Sequence, residues 1–371
     1  MEYKNGSFGD ELAILQAIDG IEVLQDGDSM IAVSGEYQGR IFTSTATGMY
    51  GSAYGWFNKS DVSNGLQDEL IANLGGESRL WFGPEYGKFA LFFEKGAQQV
   101  DENRFMPEAL NRQKFTELSR STHAITYEGR MELKNAKDYV FDLHIERTIS
   151  LLTKDQIESE LGIKLSKETA FVGFSAKNKV SNVGMEQHKK VTGLIAIWEL
   201  GCMLTSPNNC VILPLTQETD QITEYFTPIG NRIHIEGSVV FYKADADGIN
   251  KIGIPPAYCK NIMGSYDPSK NQLNIVTFSF SDDDMYVNSI PKNMSPYGGD
   301  VINIFNGAVL PAEDLDLPFY EFESSSSAKE LRPQEHIIHR HTTYHFEGSF
   351  EELNAIAKQT LGVGLSDIPK F

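Results

Sequence analysis

Three stretches of this 371-residue sequence carry residue types that can do chemistry, at spacings a plain β-strand does not require. The first is Gly75-Gly76-Glu77-Ser78-Arg79-Leu80-Trp81-Phe82-Gly83-Pro84-Glu85. Its glycines let the backbone come close to something, and between them stand a planar cation, an indole and a carboxylate. A guanidinium fork bridges two hydroxyl oxygens, and an indole offers a flat apolar face to the C–H side of a sugar ring. Arg79, Trp81 and Glu85 are therefore candidate substrate-binding residues. The alternative is an Arg–Glu pair beside a core tryptophan at a bulged strand. The second stretch, Phe319-Tyr320-Glu321-Phe322-Glu323-Ser324-Ser325, alternates like a strand. Tyr320 and Phe322 point one way, and Glu321, Glu323 and Ser325 the other. Carboxylates sharing a face repel, which raises the pKa of one of them and suits a general acid or base in a groove. A solvated outer face gives the same pattern.

The third stretch holds half of the eight histidines, between His336 and His345. On a strand, His339, His341 and His345 share a face with Glu347. Imidazoles two residues apart can ligate a transition metal, as in a metal-dependent cupin-like enzyme. They also serve as hydrogen-bonding partners for sugar hydroxyls or as proton donors. Sugar contacts rank first, an inert strand second and metal third, because three histidines along one strand span too much length for one ion. Two weaker features complete the set. Lys251 opens Lys251-Ile252-Gly253-Ile254-Pro255-Pro256 and can present a cation to a groove, whereas Trp198 and Glu199 sit in an apolar run and read as core.

The elements that must position these residues are mostly strands. Period-two or short apolar runs occur at Lys88–Phe93, Ala170–Phe174, Leu194–Leu200, Cys210–Leu215, Arg232–Tyr242, Gln272–Phe280 and Val301–Phe305. Turn residues such as Asp247-Gly248 and Asp267-Pro268-Ser269 separate them and argue for antiparallel sheet. Helical pattern is confined to three places. Phe8 to Ile18 follows Ser7 as a cap, and a short helix follows Thr153, with Gln156 completing a capping box and Gly162 ending it. The third has Ser349 and Glu352 as its box, Phe350, Leu353, Ile356, Ala357 and Leu361 as its stripe, and Gly362 as its stop. No fixed-period repeat and no long linker divides the chain, so residues 1–371 are expected to form one all-β domain, a large antiparallel assembly with a few short helices.

Composition limits the partners. With 32 Lys and Arg against 51 Asp and Glu, the formal net charge is −19. That field repels a phosphate polyanion, so nucleic acid is excluded and anionic membrane surfaces are disfavoured. No apolar run of about 18 residues is present, so no membrane insertion is expected. The first residues lack the basic-then-apolar layout of a signal peptide, which leaves the compartment open: cytoplasmic, or periplasmic or secreted if a leader was removed. Three cysteines, Cys202, Cys210 and Cys259, read as buried free thiols.

Taken together, four segments resemble a family of uncharacterised bacterial proteins in the galactose-mutarotase-like β-supersandwich group. They are the Gly-Gly-x-x-Arg-Leu-Trp-x-x-Pro-Glu stretch at 75–85, residues 251–267, the Phe-Tyr-Glu-Phe-Glu-Ser-Ser-Ser run at 319–326, and the His-x-His-x-Thr-x-His run ending at Gly348. The resemblance implies a small-molecule carbohydrate or glycan held on a concave sheet; no cofactor is expected, and no metal, given the spacing of the histidines. It also implies aldose 1-epimerase-like chemistry, in which a carboxylate takes the anomeric proton while an acid protonates the ring oxygen. Glu321 or Glu323 would be the base and His339 or His341 the acid. Arg79, Trp81, Glu85, Lys251 and His345 would contact the sugar. A non-catalytic glycan-binding module on the same fold is the alternative. Either way, Arg79, Trp81, Glu323 and His341 should meet around one pocket.

Overall fold

In the computed structural model, which describes residues 3–64, 74–282, 285–290, 295–313 and 315–371, strand far exceeds helix, 43% against 15%. Two large antiparallel sheets dominate. One has ten strands, with His336–Glu347 near its middle between Gln272–Phe278 and Ala170–Asn182, followed outward by Val140–Leu151 and Ala124–Lys134. The other has seven. In order across the sheet run Thr223–Glu224, Asp247–Ile254, Ile302–Leu310, Phe319–Ser325, Ala196–Leu204 and Arg79–Gly83, with Leu315–Asp316 paired onto Ile302–Leu310. A three-stranded sheet of Ile21–Asp26, Ser29–Ser34 and Arg40–Thr45 completes the β-structure.

Alternation explains why the large sheets stack. On the seven-stranded sheet Leu80, Phe82, Ile197, Ile304 and Phe322 point inward, where they pack with Ile145, Ile149, Val180, Met263 and Val276 of the ten-stranded sheet. Burying such side chains supplies the main drive for the fold, about 25 cal/mol per Å² of apolar surface. The ten-stranded sheet also has an apolar outer face, Leu273, Ile275, Tyr344 and Phe346, and the helices cover it. Leu353, Ile356 and Ala357 of the helix Phe350–Thr360 and Ile157 of the helix Lys154–Leu161 pack there. Both helices start with the expected capping boxes, and Gly162 adopts the left-handed conformation that ends the shorter one. The first helix keeps its Ser7 cap but stops at Leu15.

Several boundaries differ from the sequence reading. Lys88–Phe93 is no strand: its apolar residues are buried in irregular chain, since a short apolar run marks burial and not backbone shape. Arg232–Tyr242 is a hairpin, Ile233–Glu236 against Val239–Lys243. Asp247-Gly248 lies at a bulge in a strand instead of making a turn. Two long paired strands, Ala124–Lys134 and Val140–Leu151, have an alternation that the sequence reading passed over. All three cysteines are free and buried, as expected. No helix among the described residues is long and apolar enough to cross a membrane.

Candidate functional site

Among the described residues, irregular chain and the short 3-10 turn Asp101–Asn103, instead of α-helices, flank the outer face of the seven-stranded sheet. Its side chains come from the parity opposite to the core residues just named, and antiparallel register brings them into rows. Lys251, Phe305, Glu321 and Cys202 lie across four adjacent strands. The next row contains Gly253, Asn303, Glu323, Leu200 and Arg79, and beyond it Trp198 stands opposite Trp81. Chain from the 85–106 and 226–249 regions rises around this face and encloses a cleft of about 510 Å³. Arg79, Trp81, Glu85, Trp198, Lys251 and Glu321 line it, with Phe92, Phe105, Phe226 and Phe305 among its apolar walls.

The charges in the cleft pair diagonally, crossing between the two rows. Arg79 Nη2 donates to Glu321 Oε1, and Lys251 Nζ sits 2.7 Å from Glu323 Oε2. Each pair spans an intervening strand, Ala196–Leu204 for Arg79 and Glu321 and Ile302–Leu310 for Lys251 and Glu323, a gap that the long arginine and lysine side chains bridge. Cys202 Sγ also donates to Glu321 Oε1 at 3.1 Å, and Trp198 Nε1 to Glu323 Oε2 at 2.9 Å. Glu323 Oε1 is buried without a hydrogen-bond partner. Burial pushes the Glu323 carboxyl up to about 7; the charge of Lys251 opposes this, the charge of Glu321 adds to it, and the hydrogen bonds from Lys251 and Trp198 hold it back. Both cations also lie over aromatic faces. The Arg79 guanidinium is 4.4 Å from the Trp81 ring centre, and Lys251 Nζ is 4.8 Å from that of Trp198. Glu85, at the rim, pairs with Arg104 Nη1 at 2.6 Å.

Six of the sequence candidates thus meet: Arg79, Trp81, Glu85, Lys251 and Glu321 line the cleft, and Glu323 lies directly beneath it. The glycines of the 75–85 stretch do allow a close approach, though to the protein itself. Gly75 and Gly76 have positive φ, and a side chain there would collide with Trp56 and with Arg40.

The histidines are elsewhere. His339, His341 and His345 do share a face of their strand, but that face looks into the space between the sheets, where all three are buried. Ser324, from the inward parity of its strand, places Oγ 2.8 Å from both His339 Nε2 and His341 Nδ1. A single hydroxyl can donate to one ring and accept from the other. Burial lowers both imidazoles to about 3, with the neighbouring His341 adding to the effect on His339 and Arg147 adding to that on His341, so both rings are neutral at pH 7. His345 Nδ1 is 2.7 Å from Asn274 Oδ1, its Nε2 lies 2.5 Å from Glu77 Oε1, and its ring stacks on Tyr54. The expected meeting of His341 with Glu323 and Arg79 therefore fails: the thickness of a sheet separates them, because Glu323 and Ser324 are consecutive and point to opposite faces. For the same reason none of the three imidazoles can serve as acid or sugar contact in the cleft. Among the described residues no three His, Cys, Asp or Glu side chains converge as metal ligands.

Sequence reasoning missed much of the cleft wall, including Trp198, Arg104 and Phe226. Trp198 was read as core because its strand is apolar on both faces; its indole in fact forms part of the cleft floor. Arg104 and Phe226 lie in irregular segments where no periodicity marks a side chain's direction.

Comparison with known proteins agrees with this architecture. The family described as "Family of unknown function (DUF6786)" matches residues 6–371. Comparison with curated proteins gives no match. Among solved structures, a putative aldose 1-epimerase from Escherichia coli K12 superposes with a TM-score of 0.52 at 9% identity, covering 88% of this chain and 98% of the other. A galactose mutarotase-like protein from Lactobacillus casei ATCC 334 gives 0.51 at 11% identity, covering 88% and 100%. At these identities the likeness is one of fold: the chain has the mutarotase-like β architecture.

Proposed function

The chain belongs to the DUF6786 family, and from that premise we propose that its outer cleft binds a carbohydrate and performs acid–base chemistry at the anomeric centre. The observation that carries the reading is the convergence, in register from four strands, of Arg79, Trp81, Trp198, Lys251 and Glu321 on one aromatic-walled cleft. Indole faces suit the C–H side of a pyranose, and paired charges suit its hydroxyls, since each can accept or donate further hydrogen bonds without being stripped of its partner. The names of the two structural neighbours point to the same substrate class, by analogy of fold alone.

In this scheme Glu321, the carboxylate that lines the cleft, takes the proton of the anomeric hydroxyl. Lys251 gives a proton to the ring oxygen as the bond from C1 to that oxygen breaks, leaving the open-chain aldehyde. Closure on the other face of the aldehyde returns both protons. Lys251 replaces the imidazoles in the acid role, because it is the proton-bearing side chain within reach of Glu321's row. Glu323, whose Oε2 accepts from Lys251 Nζ at 2.7 Å, holds the ammonium in place for both transfers. Arg79 holds Glu321 and the sugar's adjacent hydroxyls.

One observation favours the non-catalytic alternative: Glu321 already accepts from both Arg79 and Cys202, as a carboxylate devoted to positioning would. Magnetisation exchange between the anomers of glucose and of galactose separates the two readings. Catalysis predicts exchange accelerated by the protein and slowed by roughly a hundredfold or more in Glu321→Gln. Binding without accelerated exchange selects the glycan-binding module, and neither binding nor exchange overturns the carbohydrate reading.

A further inference from the structure

The cleft does not end at Glu85. A second chamber of about 410 Å³ adjoins it and shares Glu85, Asp101 and Phe226 as common walls. Beyond these, Tyr86, Gln99, Glu102, Tyr225 and Ser289 line it. Each chamber alone falls within the roughly 300–1,000 Å³ typical of small-molecule sites, so the pair exceeds what one sugar unit needs.

The junction is chemically distinctive. Phe226 is 45% exposed, unusual for a large apolar side chain walled in on two sides. Its ring is held edge-on by Phe305 at 6.2 Å and by Tyr225 at 6.4 Å, which leaves a face free to stack. The second chamber also differs in charge from the first. The cations of the first, Arg79, Arg104 and Lys251, have no counterpart among the residues lining the second, whose ionisable acids are Glu85, Asp101 and Glu102. Asp101 Oδ1 accepts from Tyr86 Oη at 3.1 Å and Glu85 is held by Arg104, so both carboxylates are fixed acceptors for hydroxyl groups. A uronate or sulfated sugar would meet a wall of three carboxylates with one cation, Arg104, paired to Glu85.

Resting on the carbohydrate reading of the first chamber, we propose that the natural ligand is a neutral oligosaccharide of at least two units. One ring lies on the edge-to-face pair of Trp81 and Trp198, whose ring centres are 5.5 Å apart, beside Glu321; the next stacks on Phe226, and its hydroxyls donate to Asp101 and Glu102 in the second chamber. The protein would thus act on the end of a glycan chain rather than on a free monosaccharide.

Calorimetric titration with glucose, galactose and N-acetylglucosamine, and with the α-1,4- and β-1,4-linked dimers and trimers of each, tests this. The expected result is that one dimer or trimer binds at least about tenfold more tightly than its own monosaccharide, the gain of one added stacked ring. Val100→Trp, which fills the second chamber from its wall, should remove that gain and leave monosaccharide affinity within about twofold. Equal affinity for monomer and oligomer, or an oligomer preference that survives Val100→Trp, overturns the proposal while leaving the carbohydrate reading intact. If no saccharide of the panel binds, both fall together. Uronic-acid dimers binding more tightly than neutral ones would also contradict the proposal.

Discussion

Glu323, beneath the cleft, is a buried carboxyl raised toward neutrality beside a lysine. Its effect on stability has a defined sign. The folded pKa, about 7, lies above the ordinary 4.5, so between those values the folded protein holds a proton that the unfolded chain has released. Stability contributed by this group is complete below pH 4.5 and is lost as pH rises through 7. The interior imidazoles work the other way. Their folded values, about 3, lie below 6.5, so their contribution is complete above 6.5 and is lost as pH falls toward 3. Denaturant titrations at several pH values should show Glu323→Gln gaining on the wild type as pH rises from 4.5 to 7. A difference that is flat across that window would mean that the carboxyl titrates normally. Arg79 is a poor choice for an alanine test. It is buried against Glu321, and removing one partner of a buried pair typically costs about 3–5 kcal/mol. Glu321→Gln keeps the shape and a hydrogen-bond acceptor but leaves the Arg79 charge without its carboxylate, so its stability is to be measured beside its exchange rate.

At the scale of single elements, the strand Phe319–Ser325 shows most directly how sequence becomes site. Its alternation was legible: Tyr320 and Phe322 enter the core, while Glu321 and Glu323 face the cleft. Pattern alone does not say which face of a sheet a neighbouring sheet will cover, and the histidine strand met that limit. Its parity was read correctly, but the side that receives the other sheet was not, since polar residues such as His339 and His341 are seldom buried without partners. Ser324 is that partner. Replacing it by alanine should leave two buried rings short of a hydrogen bond and cost about 1–3 kcal/mol, with sugar binding unchanged because the side chain points away from the cleft. Loss of binding in Ser324→Ala without loss of stability would contradict the two-faced assignment. The capping boxes were legible for a simpler reason, that their signal is local. Ser349→Ala should lower stability by about 0.5–2 kcal/mol in the same titrations.

Across the whole molecule, the two outer faces divide the labour. Helices cover the apolar central part of the ten-stranded sheet's outer face, and irregular chain around residues 85–106 leaves that of the seven-stranded sheet open as a cleft. The fold class was readable from alternation, while the cleft walls were not, because residues such as Arg104 and Phe226 reach the site from segments without periodicity. We expect the entire chain to unfold as one unit, since inward residues of both sheets share the same apolar clusters. Calorimetry should give a single transition, and two separated transitions would show independent units. The central claim, a carbohydrate in this cleft, has a built-in reporter. Two of the protein's three tryptophans, Trp81 and Trp198, line the cleft, whereas Trp56 stacks on Phe319. Titration of intrinsic fluorescence with mono- and oligosaccharides should produce a saturable change that Trp81→Phe reduces sharply. A wild-type signal that stays flat across the whole panel, or a change that Trp81→Phe leaves intact, would contradict the account.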